Sequence, residues 1–144
     1  MRAKDYLQQV GKLDRLIENK LIEIEQWKAI ATGTTAHSDG DRVQASGSQQ
    51  KMADAVCKYV AIQEEIDRYI DELVDIKQDV IHTIETLPVI EYDLLHKVYI
   101  QGKNLYEVAG MYHKSYSWTT TAHGRALKRV QKILDERGNK SNDA

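Results

Sequence analysis

The chain has 144 residues with no Phe, one Pro and one Cys, and a net charge of −2. A lone cysteine (Cys57) makes no intrachain disulfide and no metal cluster, which fits a reducing cytoplasm. No apolar run approaches the roughly 20 residues that span a bilayer, and residues 1–10 lack the apolar core of a signal peptide.

Residues 4–31 form the first predicted element. Tyr6, Val10, Leu13, Ile17, Lys20, Ile24, Trp27 and Ala31 recur at steps of four and three, with Leu16, Leu21 and Ile30 widening the stripe. That spacing is one face of an amphipathic helix. The pattern then stops, and residues 32–49, rich in Gly, Ser, Thr and Asp and closing at Ser46-Gly47-Ser48, read as a loop. Its length suits either a contact with a partner or DNA backbone, or a plain connection. From about residue 50 to 87 the rhythm resumes: Met52, Ala55, Tyr59, Ile62, Ile66, Tyr69, Leu73, Ile76, Val80, Thr83 and Leu87. Sustained heptads predict a coiled-coil-like helix. The first helix is its nearest partner, so residues 1–88 are expected to form a long antiparallel hairpin. The second helix is the longer, and its surplus stripe needs either a second chain or the C-terminal domain to cover it; the first option predicts homodimerisation through these helices.

Pro88 disfavours helix at Leu87 and sets a boundary. Beyond it lie a helix over 89–100 with Ile90, Leu94, Leu95 and Val98 inward, and a turn at Gln101-Gly102-Lys103-Asn104. A helix over 105–112 follows, with Leu105, Val108, Ala109 and Tyr112 inward, then a tight turn at His113-Lys114-Ser115. The last helix starts after Ser115, a good N-cap, and is expected to stop at Gly138. Residues 138–144 read as a disordered tail.

Charge follows this division. Residues 1–88 carry 11 Lys/Arg against 16 Asp/Glu, net −5; residues 89–144 carry 9 against 6, net +3. An acidic body with a basic end points to a polyanion at that end. A short helix, a tight turn and a longer basic helix form the helix-turn-helix pattern of DNA-binding domains. On the last helix Thr119, His123, Ala126, Val130 and Ile133 share the core face. Opposite lie Ser117, Thr120, Thr121, Gly124, Arg125 and Lys128, with Trp118 on the flank. Arg forks to guanine and Thr offers a hydroxyl and a methyl, which suits a major groove. Lys103, Lys114, Arg129 and Lys132 surround that face and are better placed for phosphates than bases. Lys132, near the C-terminal end, reads rather as part of a solvated basic helix end. Tyr116 either bonds a phosphate or caps the domain. Trp118 either packs at the edge or touches DNA. The expected DNA-binding set is thus Ser117, Trp118, Thr120, Thr121, Arg125, Lys128, Lys103, Lys114 and Tyr116.

The run from Leu95 to Ala109, with Glu107-Val108-Ala109, and Ser115 followed by Arg125-Ala126-Leu127-Lys128 resemble region 4 of sigma-70-type factors. The whole chain, through Lys12-Leu13-Asp14-Arg15-Leu16-Ile17, Arg42-Val43-Gln44-Ala45-Ser46-Gly47 and His123-Gly124-Arg125-Ala126-Leu127, is similar to small RinA/ArpU-like transcription regulators of phages of Gram-positive hosts. The resemblance implies an all-α chain with a sigma-region-4-like domain over 89–137. It implies a sequence-specific regulator of phage late genes, an activator, working in the host cytoplasm on double-stranded DNA with RNA polymerase as a second partner. Two positions depart from the sigma pattern: His113 stands where the turn glycine is usual, and Thr119 and His123 replace core aliphatics.

No enzyme constellation is complete. Asp67, Asp71, Asp75 and Asp79 repeat on one helix, off its apolar stripe, whereas metal ligands converge on one point. Asp79 and His82 have the spacing of a di-iron pair but lack a second copy. Cys57 reads as a buried or half-buried thiol. No catalytic residue, metal or cofactor is expected. Two other roles fit the same elements: an oligomeric DNA-packaging protein like a small terminase subunit, and a decoy that binds polymerase but not DNA.

Overall fold

The computed structural model describes residues 1–33 and 45–142. The described residues form helices and turns with no strand. The chain runs α1 (Ala3–Ala31), α2 (Ala45–Ile84), α3 (Val89–Leu95), a π-helical stretch (His96–Ile100), α4 (Leu105–Tyr112) and α5 (Tyr116–Asn142). No described helix is long and apolar enough to cross a membrane.

The central lines of the predicted stripes are the covered faces, whereas Leu21 and Ile30, read as widening the first stripe, are exposed. Tyr6, Val10, Ile17 and Ile24 of α1 and Ala55, Ile62, Ile66 and Val80 of α2 are all buried. Helix bounds differ from expectation at the start of α2 and at the end of α5. Helix α2 starts at Ala45, so Ser46-Gly47-Ser48 belongs to its first turn rather than to the loop; small and hydroxyl residues are tolerated at a helix start. Residues 34–44, which hold most of the predicted loop, lie outside the described residues, as do 143–144. Helix α5 does not stop at Gly138 but runs to Asn142. Gly138 adopts no left-handed φ, unlike Gly33 and Gly102 at +71° and +75°, so it is an interior residue and no cap. Cys57 is exposed, not half-buried.

Packing divides the chain into two compact units, 14–72 and a second made of 1–13 with the chain from 73 onward. The division therefore falls within α1 and α2 and not at Pro88. In the unit 14–72, the segments of α1 and α2 run antiparallel. Lys20 pairs with Glu65 at 3.1 Å and the Lys28 ammonium lies over the Tyr59 ring, so rising numbers on one helix meet falling numbers on the other. Ile24, Ile62 and Ile66 form its core, flanked by Trp27 and Tyr59. Leu21, Ile22, Val56, Val60 and Ile70 stay exposed.

The other unit holds the larger core. Leu7 and Val10 of α1 and Val80 and Ile84 of α2 pack with Leu95, Ala126 and Val130, every one of them fully buried. Beside this core the Tyr6 hydroxyl bonds Asp79 and lies 3.0 Å from the Thr83 hydroxyl, and Arg137 donates to Thr83 at 2.6 Å and to Asp79 at 3.4 Å. Burial and the Asp79 carboxylate raise the Tyr6 pKa above its usual value. The last turns of α5 are thereby tied to α1 and α2. Pro88 caps α3 with φ −52° and ψ 147°, an extended conformation that ends the preceding helical segment as the sequence predicts.

Candidate nucleic-acid interface

Helix α4 is fixed at both ends. Gly102 supplies a left-handed turn, and Asn104 caps the helix by accepting from the Glu107 N–H at 2.9 Å while Glu107 reaches back to the Asn104 N–H. This reciprocal capping box satisfies two otherwise orphaned donors. At the other end His113 takes φ 54° and ψ 41°, the left-handed cap conformation, so the residue in place of the usual glycine adopts a glycine-like backbone. Histidine is among the few side chains that visit this region with some frequency. Three residues later α5 begins, and the Ser115 hydroxyl accepts from the Trp118 N–H at 3.0 Å, the predicted N-cap.

Helices α3 and α4 both pack on α5. Leu94, Val108 and Ala122 are buried together, flanked by Val98, Leu105 and Tyr112. The adjacent Leu95 enters the larger core, so successive residues of α3 serve two clusters. The π turn, closed by the Gln101 N–H on the His96 carbonyl at 3.0 Å, turns Tyr99 and Ile100 to the larger core while Val98 stays with the smaller one. Ile90, predicted to face inward, is 50% exposed, and Glu91 is buried in its stead. The reason is Arg129, whose Nε lies 2.7 Å from a Glu91 carboxylate oxygen, in charge contact though not aligned as a hydrogen bond. Arg129 is therefore engaged with α3 through its Nε, while its side chain stays 56% exposed. On the same helix Asp93 receives the Lys97 ammonium at 2.7 Å and the Tyr112 hydroxyl. Burial pushes the Asp93 carboxyl up, but these two bonds outweigh it and hold its pKa below the ordinary value.

The two polar core positions of α5 are satisfied. Thr119, fully buried, donates to the Ser115 carbonyl at 3.0 Å. His123 shares a 2.8 Å hydrogen bond with the Tyr99 hydroxyl, and the two rings stack. Burial raises the Tyr99 pKa to about 12. Burial also lowers the His123 pKa, with the nearby Lys4 charge adding to the effect. The native state thus disfavours protonated His123, whereas the unfolded chain protonates it near pH 6.5. Its contribution to stability is present above about pH 6.5 and is lost as the pH falls through the depressed native pKa. Urea midpoints at about pH 7.5 and 5.5 are expected to fall further in the wild type than in His123→Gln. Equal falls would remove this account.

Of the predicted contact residues, Ser117, Trp118, Thr121, Arg125, Lys128, Lys114 and Tyr116 are exposed, and Thr120 and Lys103 are half-buried. Ser117, Thr121, Arg125 and Lys128 occupy one outward face of α5. Arg125 and Lys128 form no ion pair and no side-chain hydrogen bond among the described residues. The Thr120 and Thr121 hydroxyls both donate to the Ser117 carbonyl at 3.0 Å, keeping acceptor lone pairs free. A Cβ on Gly124 meets open space, so nothing packed against α5 requires glycine there. Trp118 stands edge-on to Tyr112 with the Lys114 ammonium 5.5 Å from its ring centroid, and is still 37% exposed. The residue absent from the sequence reading is Tyr106, 70% exposed, which stacks on Tyr116 with ring centroids 4.1 Å apart. Its signal was present: it stands off the inward set Leu105, Val108, Ala109 and Tyr112.

No metal-holding group of three or more His, Cys, Asp or Glu occurs among the described residues. The chain matches no family model, no curated protein and no solved structure.

Proposed function

We propose that the chain is a sequence-specific double-stranded DNA-binding regulator of transcription, with α4, the 113–115 turn and α5 as its helix-turn-helix. The observation that carries this reading is the outward face of α5. Ser117, Thr121, Arg125 and Lys128 stand there with two cations that pair with no acid among the described residues, and Gly124 leaves room for close approach. Such a face offers hydroxyls, a methyl and a guanidinium fork to base edges. Trp118, Lys114 and the Tyr106–Tyr116 stack flank it, placed for sugars and phosphates. The helical hairpin of residues 1–88 serves self-association or polymerase contact, and the exposed Leu21, Ile22, Val56 and Val60 support an association role. The likeness to RinA/ArpU-like regulators makes the target a phage late promoter and the sign activation.

Selection of duplexes from a random pool near 150 mM salt, a concentration at which non-specific binding is weak, tests the reading. Enrichment of one motif is expected, and a motif of two half-sites about one helical turn apart reports a dimer. A pool that stays random with the full-length chain, whose residual binding vanishes on modest added salt, sinks the sequence-reading function.

A further inference from the structure

The notch at the C-terminal end of the α5 face is lined by Arg2, Ala3, Lys4, Leu127, Lys128 and Gln131. More than 120 residues of sequence separate its two sides, yet they are fastened together. The Ala3 N–H donates to Gln131 Oε1 at 2.7 Å, and Gln131 Nε2 donates to the Met1 carbonyl at 3.2 Å. Ala3 is buried at this junction, while Arg2, Lys4 and Lys128 are exposed around it. None of the three cations forms an ion pair or a side-chain hydrogen bond among the described residues. Lys128 lies on the outward face of α5 one turn beyond Gly124 and two beyond Thr121, so the notch continues that face.

Folding alone gives no reason for this arrangement. Three like charges around one depression repel each other. Lys4 stands in the first turn of α1, where the helix dipole favours an acid over a base. Each feature costs stability, and each is relieved when an anion fills the notch.

We propose that Arg2 and Lys4, with Lys128, form a clamp for the DNA backbone, taking phosphate on the strand that borders the groove entered by α5. The inference rests on the DNA-binding reading above and extends the interface to a segment outside the helix-turn-helix. Recognition helices meet bases with their N-terminal residues, so backbone is what lies beside the later turns. Arg2 offers a planar fork that matches two phosphate oxygens, and Lys4 a mobile point charge. Gln131 is a positioning residue that holds residues 1–3 against α5.

The test measures affinity for the selected duplex against salt with the full chain, its Arg2→Ala/Lys4→Ala variant, and Lys51→Ala/Lys58→Ala as a control of equal charge at exposed positions of α2. The wild-type log-log slope is expected to become shallower by about 1–2 in the first variant and to stay unchanged in the control, because each phosphate neutralised contributes roughly 0.9. The motif preference is expected to persist, since phosphates carry no sequence. A slope equal to that of the control overturns the clamp and leaves the α5 face intact as the DNA site. A changed motif preference makes these residues base readers and overturns the phosphate assignment. A wild type that binds no duplex overturns the DNA reading itself.

Discussion

Leu94→Ala is expected to destabilise the protein by about 2–5 kcal/mol, the range for removing a fully buried leucine from a core that relaxes only partly. Leu94 has no exposed surface and sits between Val108 of α4 and Ala122 of α5, with Val98, Leu105 and Tyr112 around it. The cluster is small, so few side chains can move in to fill the cavity. It is also the junction at which α3 orients α4 on α5, so the loss should loosen the turn at 113–115 together with the core. One turn earlier Ile90 is half exposed, and Ile90→Ala is expected to stay within about 0.5 kcal/mol. Thermal or urea unfolding of the two variants decides between the observed burial and the sequence pattern, which places both side chains inward. A loss below about 1 kcal/mol for Leu94→Ala, or equal losses for the two, is incompatible with a core packed this way.

That contrast marks where the sequence was legible. The two long stripes carry enough repeats of three and four for their central line to be read, down to the buried Thr83 and the half-buried Lys20, although Leu21 and Ile30 at the stripe's edge face outward. Helix α3 has only seven residues before its π turn, too few for periodicity to separate Ile90 from Glu91. The choice was made by Arg129, almost 40 positions away, whose charge lets a carboxylate be buried while isoleucine faces water. The Ser115 cap was legible because it is local, a hydroxyl bonding three residues on. The equally local Asn104–Glu107 capping box is missing from the sequence reading, which marks Asn104 only as the end of a turn. The end of α5 was not, because Gly138 terminates a helix only when it adopts a left-handed φ. The anchoring of Arg137 one residue earlier on Asp79 and Thr83 keeps that stretch helical. The basic notch was invisible for a similar reason, since the charge count places residues 2 and 4 in the acidic part, 1–88.

Arg125→Ala is expected to weaken binding of the selected duplex by about 1–3 kcal/mol and to relax preference at one base pair. The side chain is exposed and Ala126 beside it is fully buried, so the backbone that aims the guanidinium is held by the core. Removing it leaves no buried charge behind and improves helix propensity slightly, so the thermal midpoint should not fall. A loss of affinity in this variant therefore reports contact and not unfolding. Lys128→Ala provides the comparison. As a phosphate contact it should weaken matched and mismatched duplexes alike and reduce the salt slope by about 0.9. If both variants lose affinity uniformly with a shallower slope, α5 touches only backbone, and specificity must come from DNA shape or from a second protein at the promoter. If Arg125→Ala alone blurs one position of the motif, Arg125 reads a base, and the register of α5 in the major groove follows from which position it blurs.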